Sequence, residues 1–114
     1  MKLLTLILKQ TELISELNDE LKKIGVHHGT IIDAKSMTKG LSAWSDDSII
    51  IGGFLRRAKN FEYNEECKVL LFILKDELLK EAEKVIENVI GDINKPGTGV
   101  MFTVPIDFAE GLGE

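Results

Sequence analysis

The residues with the clearest chemical potential lie in one short stretch, Lys95-Pro96-Gly97-Thr98-Gly99. Glycines on either side of one residue let the backbone take positive φ and approach a ligand closely. Consecutive backbone N–H groups in such a turn can form an anion-binding nest, and Thr98 adds a hydroxyl. Lys95 and Lys39 are the nearest cations if the loops converge. These are the parts of a phosphate cradle. The same residues also make a good turn with no ligand at all, because a lone Gly-x-Gly is a weak motif.

Other residues offer less. His27-His28 could give imidazole to zinc or copper, but they lack the Cys or carboxylate partners that close a metal site, and they read as surface residues in a turn. The single cysteine, Cys67, reads as a small buried or half-buried side chain at a strand start. Arg56 and Arg57, with Lys59, form a basic patch that is either a solvated face or a contact for an anion or partner. Trp44 stands in a polar stretch. It either anchors an interface, as aromatics often do, or folds back as core. No Ser/His/Asp set and no nucleophile motif is present, so no catalytic residue, metal ligand or resident cofactor is expected, and the chain does not read as an enzyme.

The elements that must position these residues follow from the apolar pattern. Residues 3–8 are a short apolar run bounded by lysines, which its length makes a strand. Leu13, Ile14, Leu17, Leu21 and Ile24 recur at helical spacing, with Thr11 as N-cap and Gly25 as the stop. Residues 30–34 predict a second strand, and residues 68–74 the clearest one, apolar on both faces. Asp76 then caps a second helix with Leu78, Leu79, Ala82, Val85, Ile86, Val89 and Ile90 as its buried stripe, ended by Gly91. Residues 91–99 are dense in turn formers. Residues 100–106 predict a last strand, with Pro105 near its end or on an edge. Between the second and third strands, residues 35–66 lose the pattern, apart from a strand extension at 49–51 and a short helix at 54–59. An irregular stretch of this length in a small domain is usually functional or mobile. Residues 107–114 form a short acidic tail.

Strand, helix, strand, irregular segment, strand, helix, strand is the order of a ferredoxin-like βαββαβ sandwich, a four-stranded antiparallel sheet with two helices on one face. The chain of 114 residues is one such α+β domain over residues 1–114. In that fold one sheet face is open, yet these strands are apolar on both sides. Leaving large aliphatics on the open face would cost several kcal/mol at about 25 cal/mol per Å². Packing against other copies of the chain is the simplest remedy. Composition excludes further classes. Fourteen basic against 19 acidic residues argue against nucleic acid as a partner. The apolar start ends at Lys9 with no small-residue cleavage site, so it does not read as a signal peptide. A cytoplasmic protein is expected.

The chain resembles the PII signal-transduction (nitrogen regulatory) proteins. Residues 68–78, Lys-Val-Leu-Leu-Phe-Ile-Leu-Lys-Asp-Glu-Leu, look like that family's third strand running into its second helix. Residues 96–106, Pro-Gly-Thr-Gly-Val-Met-Phe-Thr-Val-Pro-Ile, look like its B-loop and fourth strand, and residues 91–99 hold the B-loop-like turn. Gly25-Val26 followed by Gly29-Thr30-Ile31-Ile32 resembles the turn into its second strand. Residues 41–66 fall outside the likeness. There the family has a longer T-loop with a modifiable tyrosine, so residues 35–66 would be a short T-loop. Val100 stands where the family has a phosphate-pairing lysine, Lys39 aligns with a T-loop arginine, and the arginines after the fourth strand are missing. The chain is similar to a divergent, PII-like member.

The resemblance implies a homotrimer that binds an adenine nucleotide in clefts between subunits and docks its T-loop on a membrane transporter or cytoplasmic enzyme, with nitrogen regulation as the process served. The nucleotide site would comprise Gly97, Thr98, Gly99, Thr30, Lys35, Ser36, Met37, Lys39 and Lys95, and the partner contact Trp44, Arg56 and Arg57. With fewer cations than the family has, weak ATP binding is expected, or a preference for ADP, AMP or a cyclic nucleotide, since each lost charge-assisted bond is worth about 1.5–3 kcal/mol. The alternative is a ferredoxin-like trimer that binds a metal or another small metabolite without nucleotide signalling.

Overall fold

The computed structural model describes residues 1–36 and 65–113. The expectations for residues 49–51 and 54–59 lie outside them. The elements run β1 (Lys2–Leu8), a 3-10 turn (Thr11–Leu13), α1 (Ile14–Lys23), β2 (Gly29–Ser36), β3 (Glu65–Leu74), α2 (Asp76–Ile90) and β4 (Gly99–Pro105). The four strands form one sheet in the order β2-β3-β1-β4, and every neighbouring pair is antiparallel. This is the α+β arrangement expected from the element order, consistent with a ferredoxin-like sandwich. No helix among the described residues is long and apolar enough to cross a membrane.

Strand alternation divides the apolar residues between two faces. Leu4, Leu6 and Leu8 of β1 and Leu70, Phe72 and Leu74 of β3 are buried. They form one core with Leu17 and Leu21 of α1 and Ala82, Ile86 and Ile90 of α2. The intervening residues turn to the other face. There Thr5 stands between Leu71 and Phe102, and Ile7 between Val69 and Val100. Ile32 of β2 continues the second row beyond Val69. Nothing among the described residues covers this face. Ile32, Val100, Phe102 and Val104 are 45%, 54%, 48% and 40% exposed.

The ends of the elements differ from expectation at two places. Thr11 does not cap α1. A 3-10 turn begins there and runs directly into the helix, and no side chain bonds the helix N-terminus. Asp76 is the first residue of α2 rather than its cap, and Lys75 precedes it in extended conformation. The Asp76 carboxylate instead takes the amino group of Met1, at 2.9 Å. The C-terminal stop of α1 is as expected. Gly25 has φ +98°, its N–H donates to the Lys22 carbonyl, and the Val26 N–H donates to the Leu21 carbonyl. This paired closure needs the positive φ that glycine supplies. Pro105 ends β4, which is an edge strand, so its missing N–H breaks no central ladder.

Candidate functional site

At one end of the sheet, where β1 and β2 finish and β3 and β4 begin, lies a cleft of about 500 Å³. Its floor is the open face itself. Val69, Ile7 and Val100 stand side by side on three adjacent strands, and Ala34 and Cys67 pair with each other alongside. One wall is the end of β2, Lys35 and Ser36, and the other is the 93–97 part of the turn between α2 and β4. The sheet order sets these walls on opposite sides of the cleft, because β2 and β4 are its two edges.

The turn is built by its own hydrogen bonds. The Asn94 N–H donates to Oδ1 of Asp92 at 3.0 Å. The Lys95 N–H donates to the Asp92 carbonyl and the Thr98 N–H to the Lys95 carbonyl. Pro96 has no N–H and the Thr98 N–H is already bonded, so the 96–98 stretch holds no run of free donors. The N–H groups of Asp92, Ile93 and Gly97 have no acceptor among the described residues. Gly97 has φ +85°, and a Cβ there would meet nothing within 4 Å. The consecutive N–H nest expected from Gly-x-Gly is therefore not formed, and Gly97 is the one residue of 96–98 whose N–H is left unbonded among the described residues.

Gly99 has a different reason to be glycine. It lies in β4 opposite Leu8, and a Cβ on it would fall 2.0 Å from the Ile7 carbonyl oxygen. Close strand pairing, not ligand approach, demands the missing side chain there. Thr98 is 4% exposed and is not on the cleft wall; its carbonyl accepts the Lys9 N–H at 3.2 Å.

Of the residues expected at the site, Lys35, Ser36, Lys95, Gly97 and Gly99 come together around the cleft. Thr30 sits opposite Leu71, along β2 from Ala34, and does not line it. Met37, Lys39, Trp44, Arg56 and Arg57 lie outside the described residues. The main addition is Lys9, which joins Lys35 and Lys95 in the lining. Among the described residues the three charged groups lining the cleft are lysines, in a chain of net charge −5. Lys9 was hidden in the sequence because it reads there only as the polar end of an apolar run. Strand alternation, which puts it on the face of Ile7, was the signal that could have found it.

Among the described residues no group of three or more His, Cys, Asp and Glu is placed to hold a metal ion. His27 is exposed and His28 half-buried. The arrangement suits an anion with an apolar portion: cations on the rim and one wall, aliphatic carbon on the floor. No protein-family model matches the chain, and no curated protein matches it.

Proposed function

We propose that the protein is a PII-like regulatory protein, a cytoplasmic homotrimer that senses an adenine nucleotide in the cleft at the end of its sheet. It is a binding protein and not an enzyme. The observation that carries this reading is the convergence of Lys35, Ser36 and the 93–97 turn over an apolar floor. A base would lie on Ile7, Val69 and Val100, and the phosphates would meet the lysines. The open apolar sheet face supports self-association, since covering residues such as Phe102 and Val104 would remove large aliphatic and aromatic area from water. Signalling would run through residues 35–66, which lead out of the cleft wall at Lys35 and Ser36. Nucleotide binding would favour one arrangement of that segment by differential affinity, and the segment would contact a membrane transporter or cytoplasmic enzyme, with nitrogen regulation as the process served.

A second reading, a trimer that binds a metal or another small metabolite without nucleotide signalling, is favoured by Val100, an aliphatic residue on the cleft wall where the resemblance would put a phosphate-pairing lysine. Calorimetric titration with ATP, ADP, AMP and cyclic AMP separates the two. Saturable binding of any of them supports the nucleotide reading, and no heat with all four at millimolar concentration rejects it.

A further inference from the structure

We propose that the cleft at the sheet end receives the acidic tail of a second copy of the chain, with Phe108 on its aliphatic floor and the carboxylates of Asp107 and Glu110 facing Lys35 and Lys95. The proposal rests on the self-association proposed above and on no outside ligand. Phe108 is 75% exposed, more than any other large apolar side chain among the described residues. A short loop presents it, held at both ends. The Ile106 N–H donates to the Met1 carbonyl at 3.0 Å, and Leu112 is half-buried beside Met1, Gly25 and Leu78. A side chain presented by a tethered loop loses less freedom on docking than one on a free tail. Its flanks are acidic, and residues 107–114 contain no Lys or Arg.

Phe108 cannot reach the cleft of its own subunit. Gly99 lines the cleft, and Pro105, at the other end of β4, pairs with Lys2. The seven residues of β4 span about 20 Å at roughly 3.3 Å per residue. Phe108 lies two residues past the anchored Ile106, a reach of about 7 Å. The occupant is therefore another copy, and charge complementarity favours it. Lys35, Lys95, Asp107 and Glu110 make no ion pair among the described residues. Docking joins two cations to two anions without separating an existing pair. Ile7, Val69 and Val100 offer the ring an apolar surface, and an aromatic anchor inside a charged rim is common interface anatomy. Contact between one end of a sheet and the opposite end of the next copy is heterologous, and it closes into a ring where the rotation permits. Each cleft is then completed by its neighbour.

The test couples carboxylates to amines in the full chain with a zero-length carbodiimide, separates the covalently joined copies on a denaturing gel, and maps their linked peptides. Wild type should show amide bonds from Lys35 or Lys95 of one copy to Asp107 or Glu110 of another. Phe108→Ser should lower the yield of those bonds several-fold, the loss of an aromatic anchor, while Phe108→Tyr keeps most of it. Circular dichroism should be unchanged in both variants, because Phe108 lies outside the core. Added salt should lower the wild-type yield, as screening weakens an exposed charge contact. Light scattering on the same samples separates the tail from the assembly. Joined copies whose links map to other residues, from a wild type that elutes as an oligomer, overturn the seat of the tail and leave self-association standing. Links at the expected residues that Phe108→Ser does not lower overturn the aromatic anchor. A wild type that elutes as a single chain and yields no joined copies overturns both the tail seat and the self-association.

Discussion

Gly99 lies so close to Ile7 that a Cβ on it would sit 2.0 Å from the Ile7 carbonyl oxygen. The atoms that would collide are backbone on both sides, in the β1–β4 ladder, so neither can turn away. Gly99→Ala must push β4 off β1 or break the pairing at Leu8. A loss of about 2–3 kcal/mol is expected, in the upper part of the ordinary range for single substitutions. Gly97→Ala meets no atom within 4 Å and pays for positive φ alone, about 1 kcal/mol. Urea denaturation of the two variants checks this: the midpoint should fall much further for Gly99→Ala. Equal midpoints would mean that the strand pairing at position 99 is looser than described. A ligand-binding defect in Gly99→Ala is therefore not evidence for a phosphate contact, whereas one in Gly97→Ala, with the fold intact, is.

The ion pair between the Met1 amino group and Asp76 predicts a pH dependence. Asp76 has its pKa held below the ordinary 3.8, chiefly by the hydrogen bond it accepts from that amino group. A carboxyl with a depressed folded-state pKa contributes stability that is present above its unfolded-state pKa. That contribution is lost as pH falls through the lower folded value. Asp76→Asn should therefore narrow its stability gap to wild type as pH drops below about 3.8. Thermal unfolding between pH 7 and pH 2 reads this directly. A gap that stays constant down to pH 2 would show that the pair contributes nothing in solution. The effect should be modest, because Asp76 is largely exposed and screened.

Much of this fold is legible in the chain because strands and helices bury residues at different periods. The apolar runs at 3–8 and 68–74 and the stripe from Leu78 to Ile90 gave the elements to within a few residues. The element order implied one open sheet face, now seen at Val100 and Phe102, whereas apolarity on both faces of β1 led to the expectation that other copies of the chain cover it. The candidate site was less legible. Period two states which residues of a strand share a face, but not which residue of another strand lies opposite. The row Val69–Ile7–Val100 exists only through tertiary register, and so does the place of Lys9. Thr98 looked like a ligand hydroxyl from its glycine neighbours, yet the closure of β4 on β1 buries it. Thr11 and Asp76 have cap chemistry, but Thr11 opens a 3-10 turn and the Asp76 carboxylate takes the Met1 amino group.

The proposed self-association should be broken by charge on the open face. Phe102 is 48% exposed and stands opposite Thr5, away from the helices. Phe102→Glu puts a carboxylate where another copy would pack. Desolvating it there would cost more than its lost apolar area. Light scattering after size exclusion should give about three chain masses for wild type and one for the variant, with circular dichroism unchanged because the helix-side core is untouched. A wild type that elutes as a single chain at micromolar concentration would remove the trimer from the proposal.

Val100→Lys tests the nucleotide reading from the opposite direction, by adding what the cleft lacks. Val100 is 54% exposed, lines the cleft and stands opposite Ile7. A lysine there can extend without disturbing the helix-side core. If phosphates sit over the sheet end, the new ammonium should tighten ATP binding by about 1–2 kcal/mol, the worth of a partly exposed charge-assisted contact. Where ammoniums at positions 9 and 100 bond the same phosphate oxygens, each replaces part of what the other supplies, so the gain should be larger in the Lys9→Gln background than in wild type. That difference is a double-mutant coupling of known sign. Calorimetry on the four proteins measures it. Tighter ATP binding with positive coupling fits phosphates lying between positions 9 and 100. A gain that is the same in both backgrounds separates Lys9 from the phosphates. Failure of all four proteins to bind ATP at millimolar concentration ends the nucleotide reading of this cleft.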